Sequence, residues 1–565
     1  MVHILMITSW YTKLKKLLAQ WLLPPKLKAF ILFIVLFRER KYKKYKKLWL
    51  HTPIDTGLHS LPFFSSLHNK PYWISLNKEV RPTVRLKNSI NLLIQNKIYQ
   101  SKFIQLGVGF DNIQGVSKVT FTINGKHAGS ISDIICDEWH DFRFALDRFK
   151  DTTEIKINFE GNGSLLLSHP TIYSKVTRKN NSKPHNIICI ILDGLNPWLF
   201  SDQNTPSTNM FFSNGVICSQ TYSQGDWTLP AFSSMLTGCY PSRHGVTNPG
   251  EYDSALPGNL LTLPEILLKS GYHTLGCSNH LRFNPAYGHA KGFERFIYPR
   301  RHKKDYYIQT INKAIQHLEA HKLESNFLFL HFFDTHPPFG PSGYLKNSLL
   351  SNERFCNCYY HGCKEGFDNF SFFIKDERIA KLKEVDLALS TFYSYMQSQA
   401  WFSDATIILT TDHGITEKVK NKPLLLQDRV RIPLMVNDPS LSKRKCDSYI
   451  EGSVDLMPSI LSLAEIHSPS DIDGQKWPFL GGEKRSKVFS ESMFVDTYEA
   501  AIRDQKNCYH FKCPFNQQTR EIFYKEKDQI VAYRRSDGRD IEKDIDISSQ
   551  DEGQILSQFY KYISS

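Results

Sequence analysis

No tract in this chain has the low complexity that marks disorder, and its prominent apolar run is short. That run, residues 29–37, falls well below the roughly 20 residues a spanning helix needs. It has the length of a secretory h-region, yet it lies late, and a basic run follows it where a small-residue cleavage site would stand. A cleaved export signal is the lesser reading. Cysteine is odd in number, 11 in all, and widely scattered, which favours reduced thiols and a reducing compartment. No standard zinc spacing occurs. Cys356, Cys358 and Cys363, with His361 among them, are read as an ordinary loop, with a metal knuckle or a local disulfide as alternatives.

With 565 residues the chain can bury more than one core, and about two or three domains are expected. Net charge is +14, and residues 38–47 hold much of the surplus. Such a run attracts anionic lipid, nucleic acid or acidic glycan, or is simply solvated. Leu14, Leu17, Leu18, Trp21 and Leu22 share one helical face, with Lys13, Lys15 and Lys16 elsewhere, until Pro24 and Pro25. Residues 1–50 are therefore read as a basic amphipathic segment, lying on an anionic membrane surface or on the protein itself. The expected location is cytoplasmic or peripheral to a membrane, with an exported form as the alternative. No nucleic-acid partner is expected.

Residues 51–180 read as β-rich. Residues 103–110, 119–123, 141–146, 154–159 and 164–168 alternate or run apolar, and Asn124-Gly125 is a hairpin signal. A β-sandwich accessory domain is expected, structural or binding. A polar linker, residues 181–186, follows.

Beyond the linker the pattern changes to buried parallel strands alternating with helices, the pattern of an α/β domain. Residues 187–192 end at Asp193-Gly194, residues 327–333 at Asp334-Thr335-His336, and residues 406–409 at Thr410-Thr411-Asp412-His413-Gly414. One strand-end Asp is usually a turn or cap residue. Three strand ends carrying Asp or His point to a site, because open α/β sheets place their sites there. Between them, Asp226-Trp227-Thr228-Leu229-Pro230 reads as a loop entering a helix that stops at Gly238. Thr228 sits where helix N–H groups favour an anion, and Thr is also a common N-cap.

Taken in order, these motifs resemble the sulfatase branch of the alkaline phosphatase superfamily. Asp193-Gly194 resembles its first metal ligand, and Thr205-Pro206-Ser207 its "TPN" helix. Leu236-Thr237-Gly238-Cys239-Tyr240-Pro241-Ser242-Arg243-His244-Gly245-Val246 is similar to its "LTG-x-YP-x-RHGV" signature. Lys291-Gly292-Phe293-Glu294, Asp334-Thr335-His336-Pro337-Pro338, Thr411-Asp412-His413-Gly414, Arg431-Ile432-Pro433 and Asp455-Leu456-Met457-Pro458 continue the set. The resemblance implies an alkaline-phosphatase-like, mostly parallel central sheet flanked by helices over residues 185–480. It also implies a small C-terminal α+β subdomain over 481–565.

The chain departs from the family where the nucleophile belongs. The place of the formylglycine-forming Cys falls on Thr228, its proline on Pro230 and its arginine on Phe232. A Thr there resembles the phosphotransfer members of the superfamily. Cys239-Tyr240-Pro241-Ser242-Arg243 spells the Cys-x-Pro-x-Arg pattern, but within the separate "YP-x-RHG" motif. The resemblance implies one divalent metal held by Asp193, Thr228, Asp412 and His413. Mixed oxygen and nitrogen ligation suits Mn²⁺, Zn²⁺ or Mg²⁺ better than Ca²⁺. It implies His336 near the leaving group and Lys422 on the anion, with Lys418 and Lys420 as alternatives. The expected activity is hydrolysis or transfer of phosphate or sulfate esters of a glycan or lipid. A catalytically weak glycan- or membrane-binding protein is the competing reading.

Overall fold

The computed structural model describes residues 72–173, 185–336, 368–415 and 424–544, with short breaks inside these spans, and a few positions beyond 552. The segment 1–50, the Cys356/Cys358/Cys363 cluster and Lys418, Lys420 and Lys422 lie outside the described residues. Among the described residues no helix is long and apolar enough to cross a membrane.

The first seven strands are β1 (Tyr72–Leu76), β2 (Glu79–Leu86), β3 (Ile90–Gln95), β4 (Phe103–Ile123), β5 (Lys126–Ile131), β6 (His140–Ala145) and β7 (Thr152–Tyr173). Asn124 and Gly125 make the β4–β5 turn with positive φ, as their sequence signalled. Two long strands, β4 and β7, pair along their lengths with register shifts between Asp111 and Lys118. The shifts let β4 fold over, so that Phe121 meets Phe142 at 4.3 Å and Phe144 at 5.4 Å across a core with Val108, Ile157 and Leu167.

The strands of the α/β region are β8 (Asn186–Leu192), β9 (Val216–Cys218), β10 (Thr221–Tyr222), β11 (His273–Cys277), β12 (Arg295–Ile297), β13 (Asn326–Phe332), β14 (Thr406–Thr410), β15 (Leu434–Asn437) and β16 (Arg444–Cys446). The sheet runs β16-β9-β15-β14-β8-β13-β11-β12-β2-β7-β4-β5. β8 lies at the heart of the α/β part, parallel to β13 and β14. Its residues are buried on both faces: Ile187, Cys189 and Ile191 enter one core, and Ile188, Ile190 and Leu192 the other. That explains an unbroken apolar run where a half-exposed strand would alternate. Each such side chain contributes on the order of 1.5–3 kcal/mol by leaving water.

One sequence expectation meets a different structure. The β-rich segment does not stand apart, because β2 pairs antiparallel with β12 and the sheet continues through it. Pairing also protects the edge that β12 would otherwise expose. Within the α/β region the sheet is mostly parallel, as expected: β14 through β12 and the β16–β9 pair run parallel, β15 pairs antiparallel, and the joined sheet as a whole is mixed. A buried ionic cluster seals the junction. Arg295 donates to Glu79 through Nε (2.7 Å) and Nη2 (3.0 Å), Arg81 Nε donates to Glu79 (2.8 Å), and Arg81 reaches Asp141.

Short β17 (Ile450–Glu451) pairs with β10. The C-terminal region forms a six-stranded antiparallel sheet from β18 (Val488–Phe494) to β23 (Arg539–Asp544), with Phe489, Tyr498 and Phe511 packed against Phe559, Tyr240 and Val454.

Candidate active site

Parallel pairing brings the strand ends together. Leu192 of β8 is in register with Phe332 of β13, and Ile191 with Thr410 of β14, so Asp193, His336 and Asp412-His413 emerge at one edge. Asp193 follows β8 and is fully buried. Gly194 then turns the chain at φ +66°, and a Cβ there would come within 2.8 Å of the His336 ring. A side chain at 194 would therefore be strained and would displace His336.

The carboxylates are arranged asymmetrically. Asp412 Oδ1 accepts from the backbone N–H of Gly194 (3.2 Å) and of His413 (2.9 Å). Asp193 Oδ2 faces His331 Nε2 at 2.9 Å. The other oxygens, Asp193 Oδ1 and Asp412 Oδ2, are buried and have no hydrogen-bond partner. Both face His413 Nε2, at 3.7 Å and 3.5 Å. His413 Nδ1–H donates to the Gly414 carbonyl at 2.7 Å, which leaves a lone pair on Nε2. Burial and the neighbouring Asp412 push the Asp193 carboxyl well up, and burial pushes the His413 imidazolium down to about 3. Two buried carboxylate oxygens without a hydrogen bond and an imidazole lone pair converging on one space fit a divalent cation. Asp193, His336 and His413 present ligand atoms within 4.8 Å of one another, as do Asp193, His331 and Asp412.

Thr228 opens the helix Thr228–Thr237, which ends at Gly238 with φ +69° as its sequence suggested. Its role at the helix start differs from the capping reading. Trp227 holds the N-cap position, and no side chain caps the helix. The Thr228 hydroxyl instead lies 3.4 Å from His413 Nε2, and the helix N-terminus faces the same space. His336 Nε2 is 4.0 Å from Asp193 Oδ1. The structure thus gathers Asp193, Thr228, His336, Asp412 and His413. Lys422 lies outside the described residues.

Cys239 does not join them. It is buried beyond the helix end, its thiol directed at the Thr237 carbonyl (3.6 Å), and burial pushes its pKa up to about 11. Its motif is structural: Tyr240 donates to Glu451 (2.7 Å), and Arg243 binds Asp473 (2.9 Å).

Sequence reasoning missed two histidines. His331 sits within buried β13, bridging Asp193 and the Ser278 hydroxyl (3.2 Å), and so orients the carboxylate. A lone polar residue inside an apolar run was its signal. His280 places Nδ1 3.8 Å from Asp193 Oδ2 and stacks on Phe333 at 4.1 Å. It comes from the loop after β11, where no motif marked it.

The chain is similar in sequence and in fold to known proteins. Residues 185–466 match the sulfatase family model. The extracellular sulfatase SULF-1 homolog of Drosophila melanogaster is 26% identical over 110 residues, 19% of this chain and 10% of that protein. A sulfatase of Formosa agariphila is 22% identical over 377 residues, 54% of this chain and 74% of that protein. A 2-O GAG sulfatase structure superposes with TM-score 0.51 at 16% identity, covering 68% of this chain and 91% of the other. Residues 185–466 are a sulfatase-family domain.

Proposed function

We propose that this domain is a metal-dependent ester hydrolase or transferase that uses Thr228 as nucleophile on a phosphate or sulfate ester. The observation that carries the reading is the Thr228 hydroxyl, 3.4 Å from His413 Nε2 beside two unpartnered carboxylate oxygens. Asp193, Asp412, His413 and Thr228 would hold one Mn²⁺, Zn²⁺ or Mg²⁺. Such a cation lowers the pKa of a neighbouring hydroxyl and offsets charge on an ester oxygen. Thr228 Oγ1 gives its proton up to water and forms the new bond to phosphorus or sulfur as the bond to the leaving oxygen breaks. His336 supplies the proton to that oxygen, and the backbone N–H groups opening the helix face the remaining oxygens. Water or another acceptor then releases the phospho- or sulfo-threonine.

A Thr in the nucleophile's place favours the phosphoester, because it resembles the phosphotransfer members of the superfamily. The Phe232 ring is fully buried, stacked on Phe283 at 4.3 Å and edge-on to His331 at 4.6 Å, so no cation stands at the family's arginine position. Sulfate esters are the second reading, favoured by the family match and by the similar fold of a 2-O GAG sulfatase. A sulfated or phosphorylated glycan or lipid is the substrate class. The β-rich region and the basic segment 1–50 would hold it or an anionic membrane. A panel of aryl phosphate, phosphodiester and aryl sulfate with added Mn²⁺ tests the proposal. Metal-dependent turnover of a phosphoester supports it. Stoichiometric metal with no turnover of any ester would favour the binding-protein alternative.

A further inference from the structure

The sheet edge opposite the candidate active site gathers a second set of donor atoms. His273 opens β11 and pairs in register with Asn326, which opens β13. Asp193, His336 and Asp412 emerge at the other ends of the parallel strands, about 20 Å away along the seven residues of β13. His321 follows the helix Tyr306–Ala320, and Glu324 lies in the turn that leads from it into β13. That turn is fixed by its own hydrogen bonds. Asn326 Nδ2 donates to the carbonyls of His321 (3.1 Å) and Glu324 (2.8 Å), and the Glu324 N–H donates to the His321 carbonyl (3.0 Å). The His273 N–H donates to the Ser325 carbonyl (2.9 Å), which ties β11 to the same turn.

Three side chains converge there. Glu324 Oε2 lies 3.4 Å from His273 Nε2 and 3.4 Å from His321 Nδ1. All three side chains offer ligand atoms within 4.8 Å of one another. Ligand atoms about 2.0–2.1 Å from a tetrahedral Zn²⁺ stand about 3.4 Å apart, so both nitrogens sit at that separation from the carboxylate oxygen. The tautomer of His273 suits a ligand. Its Nδ1 faces Glu294 Oε2 at 3.1 Å, and that oxygen also accepts from the Thr274 N–H (3.1 Å). An ionised carboxylate only accepts, so the ring proton belongs on Nδ1 and the lone pair on Nε2. A carboxylate behind the ring is how metal-bound imidazoles are oriented. The His273 and His321 rings stack at 3.9 Å and 17°. Two protonated rings so placed would repel, whereas one divalent cation can serve both. His273 and His321 are buried, and Glu324 is 23% exposed, which leaves a path from solvent.

We propose that His273, His321 and Glu324 bind a second metal ion, a Zn²⁺-class divalent cation with water in the fourth position, and that it pins β11 to the turn entering β13. Glu294 is the positioning residue. The site is separate from Thr228 and does not rest on the reading of that residue.

The test is dialysis of full-length protein against Zn²⁺ followed by metal analysis, with thermal unfolding in Zn²⁺ and in EDTA. His321→Ala and Glu324→Gln should each hold one Zn²⁺ fewer than wild type, with affinity lowered about tenfold or more. His413→Ala should keep that ion. Both variants should unfold in EDTA at the wild-type temperature and lose the rise that Zn²⁺ gives wild type. Wild-type Zn²⁺ stoichiometry in both variants would overturn the site. Loss of the ion on combining Cys356→Ser, Cys358→Ser and Cys363→Ser, with its retention in Glu324→Gln, would also overturn it and move the metal to the cysteines. A lowered transition in EDTA for both variants, with no effect of Zn²⁺ on wild type, would make the three groups a hydrogen-bonded cluster and overturn it equally.

Discussion

His413 commits its Nδ1–H to the Gly414 carbonyl and so turns an unprotonated Nε2 toward Thr228 Oγ1, 3.4 Å away. A neutral imidazole with a fixed tautomer can bind a cation, and a hydroxyl at that distance shares the same space. Thr228→Ala should abolish turnover, by about a thousandfold or more, with the thermal transition unchanged. Cys239→Ala should keep near-wild-type rates. Steady-state kinetics on the best ester decides between them. The reverse pattern would return the nucleophile to Cys239.

Asp412→Asn and His413→Ala should each lower bound metal and activity together. Asp412 Oδ2 makes no hydrogen bond and faces His413 Nε2, so the amide removes the negative charge that a cation there would use. Metal content after dialysis reads the effect directly. Full stoichiometry in both variants would remove the two residues from the metal site.

Restoring the family arginine should not restore a sulfatase pocket. Phe232→Arg would bury a guanidinium between Phe283, Phe329 and the His331 ring. A loss of about 2–5 kcal/mol is expected from the lost packing and the unpaired charge. Phe232→Leu should cost less. A stable Phe232→Arg protein with raised aryl sulfatase activity would contradict this.

Glu491 should make stability depend on pH. Burial raises its carboxyl from 4.5 to about 7, against hydrogen bonds from the Ser242 N–H and the Tyr498 hydroxyl. A carboxyl raised in the folded state contributes stability that is complete below its unfolded value and is lost as pH rises through about 7. Glu491→Gln should therefore gain on wild type between pH 5 and 8, by roughly 1–3 kcal/mol. Parallel denaturation curves across that window would show that the carboxyl titrates normally.

At the sheet junction, Glu79→Gln should destabilise by about 3–5 kcal/mol, because Arg295 and Arg81 keep their buried charges without the partner they share. Urea unfolding checks the figure. A neutral effect would mean that the two halves of the sheet hold together without the ionic cluster.

What was legible along the chain is what repeats locally. Residues 187–192 are apolar at every position because β8 is covered on both faces, so its burial and its end at Asp193 could be read directly. Asn124-Gly125 and Gly238 carry their positive φ in their residue types. The ordered strand-end motifs named Asp193, His336, Asp412 and His413. Thr228 followed from its alignment with the nucleophile position. Pairing between distant segments decided the rest. Nothing near Glu79 in sequence announces Arg295, yet their bond joins the β-rich segment to the α/β sheet. His331 gained its role only when β13 lay beside β8 and brought its ring to Asp193. Short-range pattern determines which face of an element is buried. Which partner that face meets, and which oxygen is left without one, is set only when the strands are brought into register.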